Sequence, residues 1–254
     1  EQLEYIPAQI KVIEHVTHKY TCRCCEKVVT AAKPEMPIAK CMATPSLIAE
    51  VIIKKYEHHL PWYRQAKIFA QDGIDIPANT IGNWFMQAGE VLLPLKEAFK
   101  AQLKHTNLLQ ADETPVTVLN KDKRAYMWAY HSHQANNRFI MFEYNDSRSG
   151  KVASDELINY RGILQSDGYS GYNDLRAKEG IIALGCWAHC RRYFVDTVKL
   201  APAVGKAHEI LKLIANLYQI ESKAKELKLD YVGRQKLRQN QAPPILQKIH
   251  TLLT

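Results

Sequence analysis

Between residues 107 and 196 the chain adopts a pattern that few folds can satisfy. Three runs, LLQADETPVTVL (108–119), AYMWAYHS (125–132) and RFIMFEYND (138–146), are rich in β-branched and aromatic side chains. They read as consecutive antiparallel strands joined by short turns at NKDKR and QANN. GKVASDELINY then reads as a helix, and GILQSDGYSGY as a strand that breaks at Gly168. A short helix is expected over YNDLRAKEG, a strand over IIALGCWAH, and a helix over CRRYFVDTVKL. Three meandering strands followed by alternating helix and strand predict a mixed α/β sheet.

Two acids stand out against this pattern. Asp112, in LLQADET, and Asp167, in ILQSDGYSGY, each sit where an apolar strand meets a polar or glycine-rich turn. Acids on neighbouring strands can converge on one hard cation, because magnesium takes oxygen ligands and keeps several waters. Two such ions about 4 Å apart would clamp the attacking and leaving oxygens of a phosphodiester. The alternative is that both are turn or cap residues, which are common at strand ends.

Upstream, residues 5–30 alternate apolar and polar, with Ile10, Val12, Ile13, Val16 and Thr17 favouring a short hairpin that ends near a cysteine cluster. Pro34, Pro37 and Pro45 then mark an extended linker. SLIAEVIIKKYEHHL has a helical period, with Thr44 or Ser46 as cap. Pro61 opens a second helix that Gly73 ends. A third is expected over TIGNWFMQAGEVLLPLKEAFKAQLK, capped by Asn79 or Thr80 and kinked at Pro94. This order resembles a helix-turn-helix, whose third helix would offer Asn79, Thr80, Asn83 and Gln87 to bases or phosphates. Trp84 and Phe85 read as core, and Arg64 and Lys67 as exposed residues or phosphate contacts. Beyond residue 200 a long amphipathic helix carries Leu211, Ile214, Leu217 and Ile220. QAPP at 241–244 should break it, with a final helix from Ile245.

Charge points to a class of partner. Lys and Arg number 34 against 26 acids, a net charge of +8, which favours a polyanion. With no apolar run of span length, no membrane segment is expected. The first residues, EQLEYIPAQIKVIEHV, lack the pattern of a signal peptide and read as the middle of a protein. Six cysteines in close pairs without an export signal predict a reducing compartment, with metal ligands or free thiols rather than disulfides.

Cys22 and Cys25, in YTCRCC, form a C-x-x-C turn of the zinc-ribbon type. A structural zinc site needs four ligands, so this is half of one, or a group of reduced surface thiols. In CWAHCRRYF, Cys186 and Trp187 read as the core and rim of a strand end, too extended for Cys186 and Cys190 to chelate one ion easily. His189, Arg191 and Arg192 would then face the site or a phosphate backbone, unless they form a solvated basic helix start.

Together, YTCRCC, KYEHHLPWYRQAKIFAQDGIDIPANTIGNW, QADETPV, LQSDGYSGY and CWAHCRRYF stand in one order across residues 5–200. The chain thereby resembles the transposases of insertion-sequence family 66. The resemblance implies a ribonuclease-H-like catalytic fold with a DDE-type triad of acids, Asp112 matching the first and Asp167 the second. It also implies Mg2+ or Mn2+ as cofactor, the terminal inverted repeats of a mobile element as double-stranded DNA partner, assembly as a homo-oligomer, possible accessory transposition proteins, and a cytoplasmic, nucleoid-associated location.

The expected order of domains is a partial zinc ribbon and linker (1–42), a helical DNA-binding segment (43–105), the catalytic core (106–200) and a helical insertion (201–254). Two departures matter. The family's third acid lies in an Asn-Asn-x-x-Glu-Arg segment that this sequence lacks, and its zinc ribbon has an earlier cysteine pair, also lacking here. Zn2+ is therefore expected only in a longer protein, and the chain reads as a fragment cut at both ends. The function expected is metal-dependent DNA cleavage and strand transfer. A DNA end-binding module, a silent remnant, or another nuclease on the same fold are its rivals.

Overall fold

In the computed structural model the described residues are 1–4, 9–119, 123–134, 137–201, 203 and 205–254. The chain divides into two units, Glu1–Ala98 and Phe99–Thr254.

In the first unit, β1 (Lys19–Thr21) and β2 (Val28–Thr30) form an antiparallel hairpin. The hairpin encloses Cys22, Cys24 and Cys25 in its turn, so it lies at the cysteines, near which the alternation had placed its end. Residues 9–18 carry no strand, and part of the predicted run, residues 5–8, lies outside the described residues. The physical reason is burial: every residue of β1 and β2 is exposed, so β-branched side chains find no core to extend the pairing.

Three helices follow. α1 (Pro45–Tyr56) is capped by Thr44, whose hydroxyl accepts from the Leu47 N–H at 3.4 Å. α2 (Trp62–Gln71) follows Pro61 and gives way to Gly73, whose φ of +81° reverses the chain at no steric cost. α3 (Ala78–Val91) is capped at Pro77 rather than at Asn79 or Thr80, the proline ring presetting φ at −59°. Ile48, Val51, Phe69, Ile76, Ile81, Trp84 and Ala88 form the core between them. Gln65 is fully buried, its amide donating to the carbonyls of Val51 and Leu60. Pro94 does not kink one helix but separates two: α4 (Leu93–Leu103) starts just before it. In a first turn the missing proline N–H costs nothing.

In the second unit β3 (Leu108–Val116), β4 (Ala125–Gln134), β5 (Asn137–Asn145), β6 (Gly162–Ser166) and β7 (Ile181–Gly185) make one sheet in the order β5-β4-β3-β6-β7. The meander β3-β4-β5 is antiparallel, and β3-β6 and β6-β7 are parallel. α5 (Gly150–Glu156), a short 3-10 turn (Ser170–Tyr172) and α6 (Asn173–Ala177) supply the crossovers. The core lies on one face of the sheet, where Leu109, Trp128, Tyr130 and Leu164 pack with Ala153, Leu157, Tyr172 and Leu175. Ile140, Phe142, Tyr144, Ile182 and Leu184, at the alternate positions, stay exposed.

α7 (Trp187–Leu200) begins three residues before the expected start, with Cys186 as its cap. α8 (Lys206–Glu226) and α9 (Tyr231–Leu253) pair through Ile210, Ile214 and Ile249. Pro243 and Pro244 do not break α9 as expected. Interior prolines cost about 3 kcal/mol or more each, and the packing of Ile245, Ile249 and Leu252 against α8 offsets that loss. Among the described residues no helix is long and apolar enough to cross a membrane.

Candidate active site

The alternation of β3 resolves its two adjacent carboxylates. Leu109, Ala111 and Glu113 point into the core, so Gln110 and Asp112 point to the opposite face. The Asp112 side chain is 51% exposed, that of Glu113 only 1%. Solvation and burial thus act on neighbouring residues of one strand.

The parallel register of β3 and β6 brings the second acid alongside. Gln110 stands opposite Gln165; Asp112 lies two residues beyond the first and Asp167 two beyond the second. A row of side chains fixes that register on the same face. The His131 Nδ1 lies 2.8 Å from the Gln110 Oε1, the Gln110 amide donates to the Gln165 Oε1 at 2.6 Å, and the Gln165 amide donates to the Gly185 carbonyl at 3.2 Å. The row crosses β4, β3, β6 and β7 in one sense, each amide donating onward.

Asp167 is only 9% exposed. Its Oδ1 accepts from the Tyr169 N–H at 2.9 Å, and Arg176 donates to its carbonyl and to the Ser166 hydroxyl. The Oδ1 of Asp112 accepts from the Glu113 N–H at 3.0 Å. His189, in the first turn of α7, sets its Nε2 3.5 Å from the Asp112 Oδ2, while its Nδ1 is buried without a hydrogen-bond partner. The helix starts early enough that Cys186 and Cys190 are a single turn apart, with the Cys190 N–H donating to the Cys186 carbonyl. Burial pushes the Cys190 thiol up. Arg191 and Arg192 are exposed on the same helix.

Two carboxylates on adjacent strands suit a hard cation that accepts oxygen ligands and retains waters. Among the described residues no group of three or more His, Cys, Asp or Glu side chains converges to hold a metal ion.

The other residues singled out from the sequence belong to the first unit. Arg64 and Lys67 are exposed on α2, the Arg64 guanidinium lying 5.8 Å from the Tyr63 ring centroid. Asn79 is exposed in the first turn of α3; Thr80, Asn83 and Gln87 line a hollow of about 300 Å³ with Ile38, Lys40, Cys41 and Trp84. In the cysteine turn the Cys22 N–H donates to the Lys27 carbonyl, and the Glu26 N–H to that of Cys22. Hydrogen bonds from the backbone of Cys24, then of Cys25, hold the Cys22 thiol below its ordinary range. A depressed thiol suits a metal ligand, since the thiolate is the binding form.

Sequence reasoning passed over Glu113, Gln110, Gln165, His131, Arg148 and Tyr172. The signal for Glu113 was present: strict period-two alternation separates it from Asp112. For Arg148, 35 residues from Glu113, no local pattern announces the contact.

A five-stranded mixed sheet flanked by helices defines the class: an α/β protein, with Asp112 on β3 and Asp167 just past the end of the neighbouring parallel strand β6. The model of the transposase IS66 family matches residues 40–254, and that of the zinc-finger binding domain of transposase IS66 matches residues 1–26. The chain belongs to the IS66 transposase family. The zinc-finger match suggests zinc binding.

The uncharacterized protein y4jD of Sinorhizobium fredii (strain NBRC 101917 / NGR234) is 31% identical over 100% of this chain and 52% of its own length. The uncharacterized protein y4qI of the same strain is 29% identical over 99% of this chain and 49% of its own. The chain thus spans about half the length of these curated relatives. A chain from the simian T-cell lymphotropic virus intasome in complex with PP2A regulatory subunit B56 gamma aligns over 39% of this chain and 44% of its own, at TM-score 0.28 and 10% identity. That likeness is too low to carry an argument.

Proposed function

We propose that the second unit contains the ribonuclease-H-like core of a DDE-type DNA transposase, with Asp112 and Asp167 as its first two acids. The observation that carries this reading is the parallel β3-β6 register, which sets both acids two residues past the paired glutamines. A bound Mg2+ or Mn2+ would polarise a phosphodiester and lower the pKa of its attacking water. Asp112 and Asp167 would hold that ion through oxygen alone, and the glutamine row would keep their strands in step. His189, Arg191 and Arg192 would meet the DNA backbone beside them, with charge-assisted contacts that position but do not specify. Arg64, Lys67, Asn79, Thr80 and Asn83 would form a separate DNA contact on α2 and α3. Cys22 and Cys25 would be two ligands of a structural zinc. The partner is double-stranded DNA at the element's terminal inverted repeats. Oligomerisation on that DNA, accessory proteins and nucleoid association follow from the same reading.

Asp112→Asn is expected to abolish metal-dependent cleavage of DNA carrying the element ends while leaving DNA affinity within a few-fold. Cleavage undiminished in the variant would overturn the assignment. A second reading is a DNA end-binding module without catalysis. Salt-dependent binding without cleavage by the unmodified protein, even in manganese, would select it.

A further inference from the structure

Glu113 is a carboxylate directly beside Asp112, so it invites assignment as a third acid. Its surroundings say otherwise. The side chain points into the core, and three donors use its oxygens: Arg148 Nε at 2.9 Å and Nη2 at 2.8 Å on Oε1, and the Tyr172 hydroxyl at 2.8 Å on Oε2. The Glu113 carboxylate holds the Arg148 guanidinium above its ordinary value. Burial, and then the same carboxylate, push the Tyr172 phenol up, so it stays a donor.

These contacts form a chain that links the two candidate acids. The Glu113 N–H donates to the Asp112 Oδ1 at 3.0 Å, and its carboxylate receives Arg148. The Arg148 guanidinium lies 4.0 Å from the Tyr169 ring centroid, and the Tyr169 hydroxyl donates to the Arg148 carbonyl at 2.9 Å. The Tyr169 N–H then donates to the Asp167 Oδ1 at 2.9 Å. Tyr172 meets Tyr169 edge to face at 6.2 Å and ties Glu113 to the same turn. The chain takes Oδ1 of each acid and leaves each Oδ2 outside it.

A buried ion pair is a poor source of net stability, since well-packed apolar residues of the same volume often do as well or better. What it supplies is one defined arrangement, and outer-shell partners of this kind orient metal-binding carboxylates. We propose that Glu113 is a positioning residue, and that with Arg148, Tyr169 and Tyr172 it fixes Asp112 and Asp167 relative to each other for one divalent cation. This rests on the reading of Asp112 and Asp167 as a metal-holding pair.

The test is Mn2+ binding followed by electron paramagnetic resonance, with thermal unfolding of the metal-free protein measured in parallel. Asp112→Asn defines the site as the binding it removes. Tyr169→Phe keeps the ring under Arg148 but deletes the hydroxyl bond, and Arg148→Lys keeps the charge but deletes the fork. Both are expected to weaken Mn2+ binding on the order of 10- to 100-fold while the metal-free protein still unfolds cooperatively within a few degrees of the parent. Glu113→Gln should weaken it further, and Glu113→Asp should not restore it, because the shorter side chain withdraws from Arg148. Parental affinity in Tyr169→Phe and Arg148→Lys, with binding lost in Asp112→Asn, overturns the positioning role and leaves the acid pair standing. Manganese uptake by Asp112→Asn equal to the parent's, or none by the parent, removes the pair itself and the proposal with it.

Discussion

Asp112 and Asp167 stand on or beside strands whose other face is packed against a core, whereas Cys22, Cys24 and Cys25 stand in a hairpin with no buried strand residue. On the proposed reading each place takes a metal, and they differ in what would hold the ligands before one arrives. At the sheet, Leu109 and Leu164 anchor the two strands from below and the glutamine row ties them from above. In the cysteine turn, short backbone hydrogen bonds are the main local restraint. A site on a packed scaffold is preorganised, whereas one on an exposed turn takes its order from the ion, so metal binding and folding become one event.

The largest effect should separate the two regions by stability alone. Trp128 is fully buried and stands opposite Glu113 in the β3-β4 ladder. Trp128→Ala should cost about 3–5 kcal/mol in denaturant unfolding. Val29→Ala, in the exposed hairpin, should stay within about 0.5 kcal/mol. Comparable losses at the two positions would mean that the hairpin has a core of its own.

Zinc should reverse the contrast locally. Without it, the Cys22 and Glu26 amides are expected to exchange with solvent almost unprotected, while amides of β3 exchange slowly. Added zinc should slow the two hairpin amides and leave β3 unchanged, and Cys22→Ser should abolish the response. Hairpin amides already as protected as those of β3 in zinc-free protein would erase the difference between the regions.

The sheet was legible because period-two alternation and short turns leave little choice of pairing. Asp112 and Asp167 were visible as acids set against apolar strands, but Asp112 lies in the middle of β3 rather than at its end, and Asp167 follows β6. What escaped the sequence was tertiary. Residues Gln110 and Gln165 are separated by 55 positions, and Arg148 and Glu113 by 35, so neither pairing leaves a local trace. The α9 prolines misled for the same reason: local propensity predicts a break, and packing on α8 overrides it. Upstream of the cysteines, over residues 9–18, the error ran the other way, since strand propensity was strong and burial was missing.

The smallest expected effect compares two Arg-bound glutamates. Glu113 is enclosed, whereas Glu221 on α8 meets Arg238 of α9 through bonds of 2.6 and 2.8 Å with 38% and 54% of the side chains exposed. The hydrogen bond from Arg238 holds the Glu221 carboxyl below its ordinary value of 4.5. A carboxylate with a lowered folded-state pKa stabilises the fold above its unfolded value, and that contribution fades as pH falls through the folded one. Solvent screening keeps such a pair at about 0.2–1 kcal/mol. Glu221→Gln should therefore lower the denaturant midpoint slightly at neutral pH. The gap to the parent should close as pH falls below about 4.5, and added salt should narrow it at pH 7. A gap that persists in acid would assign the loss to packing of the Glu221 stem rather than to its charge. The α8-α9 pair would then be held across its two prolines by apolar contact alone.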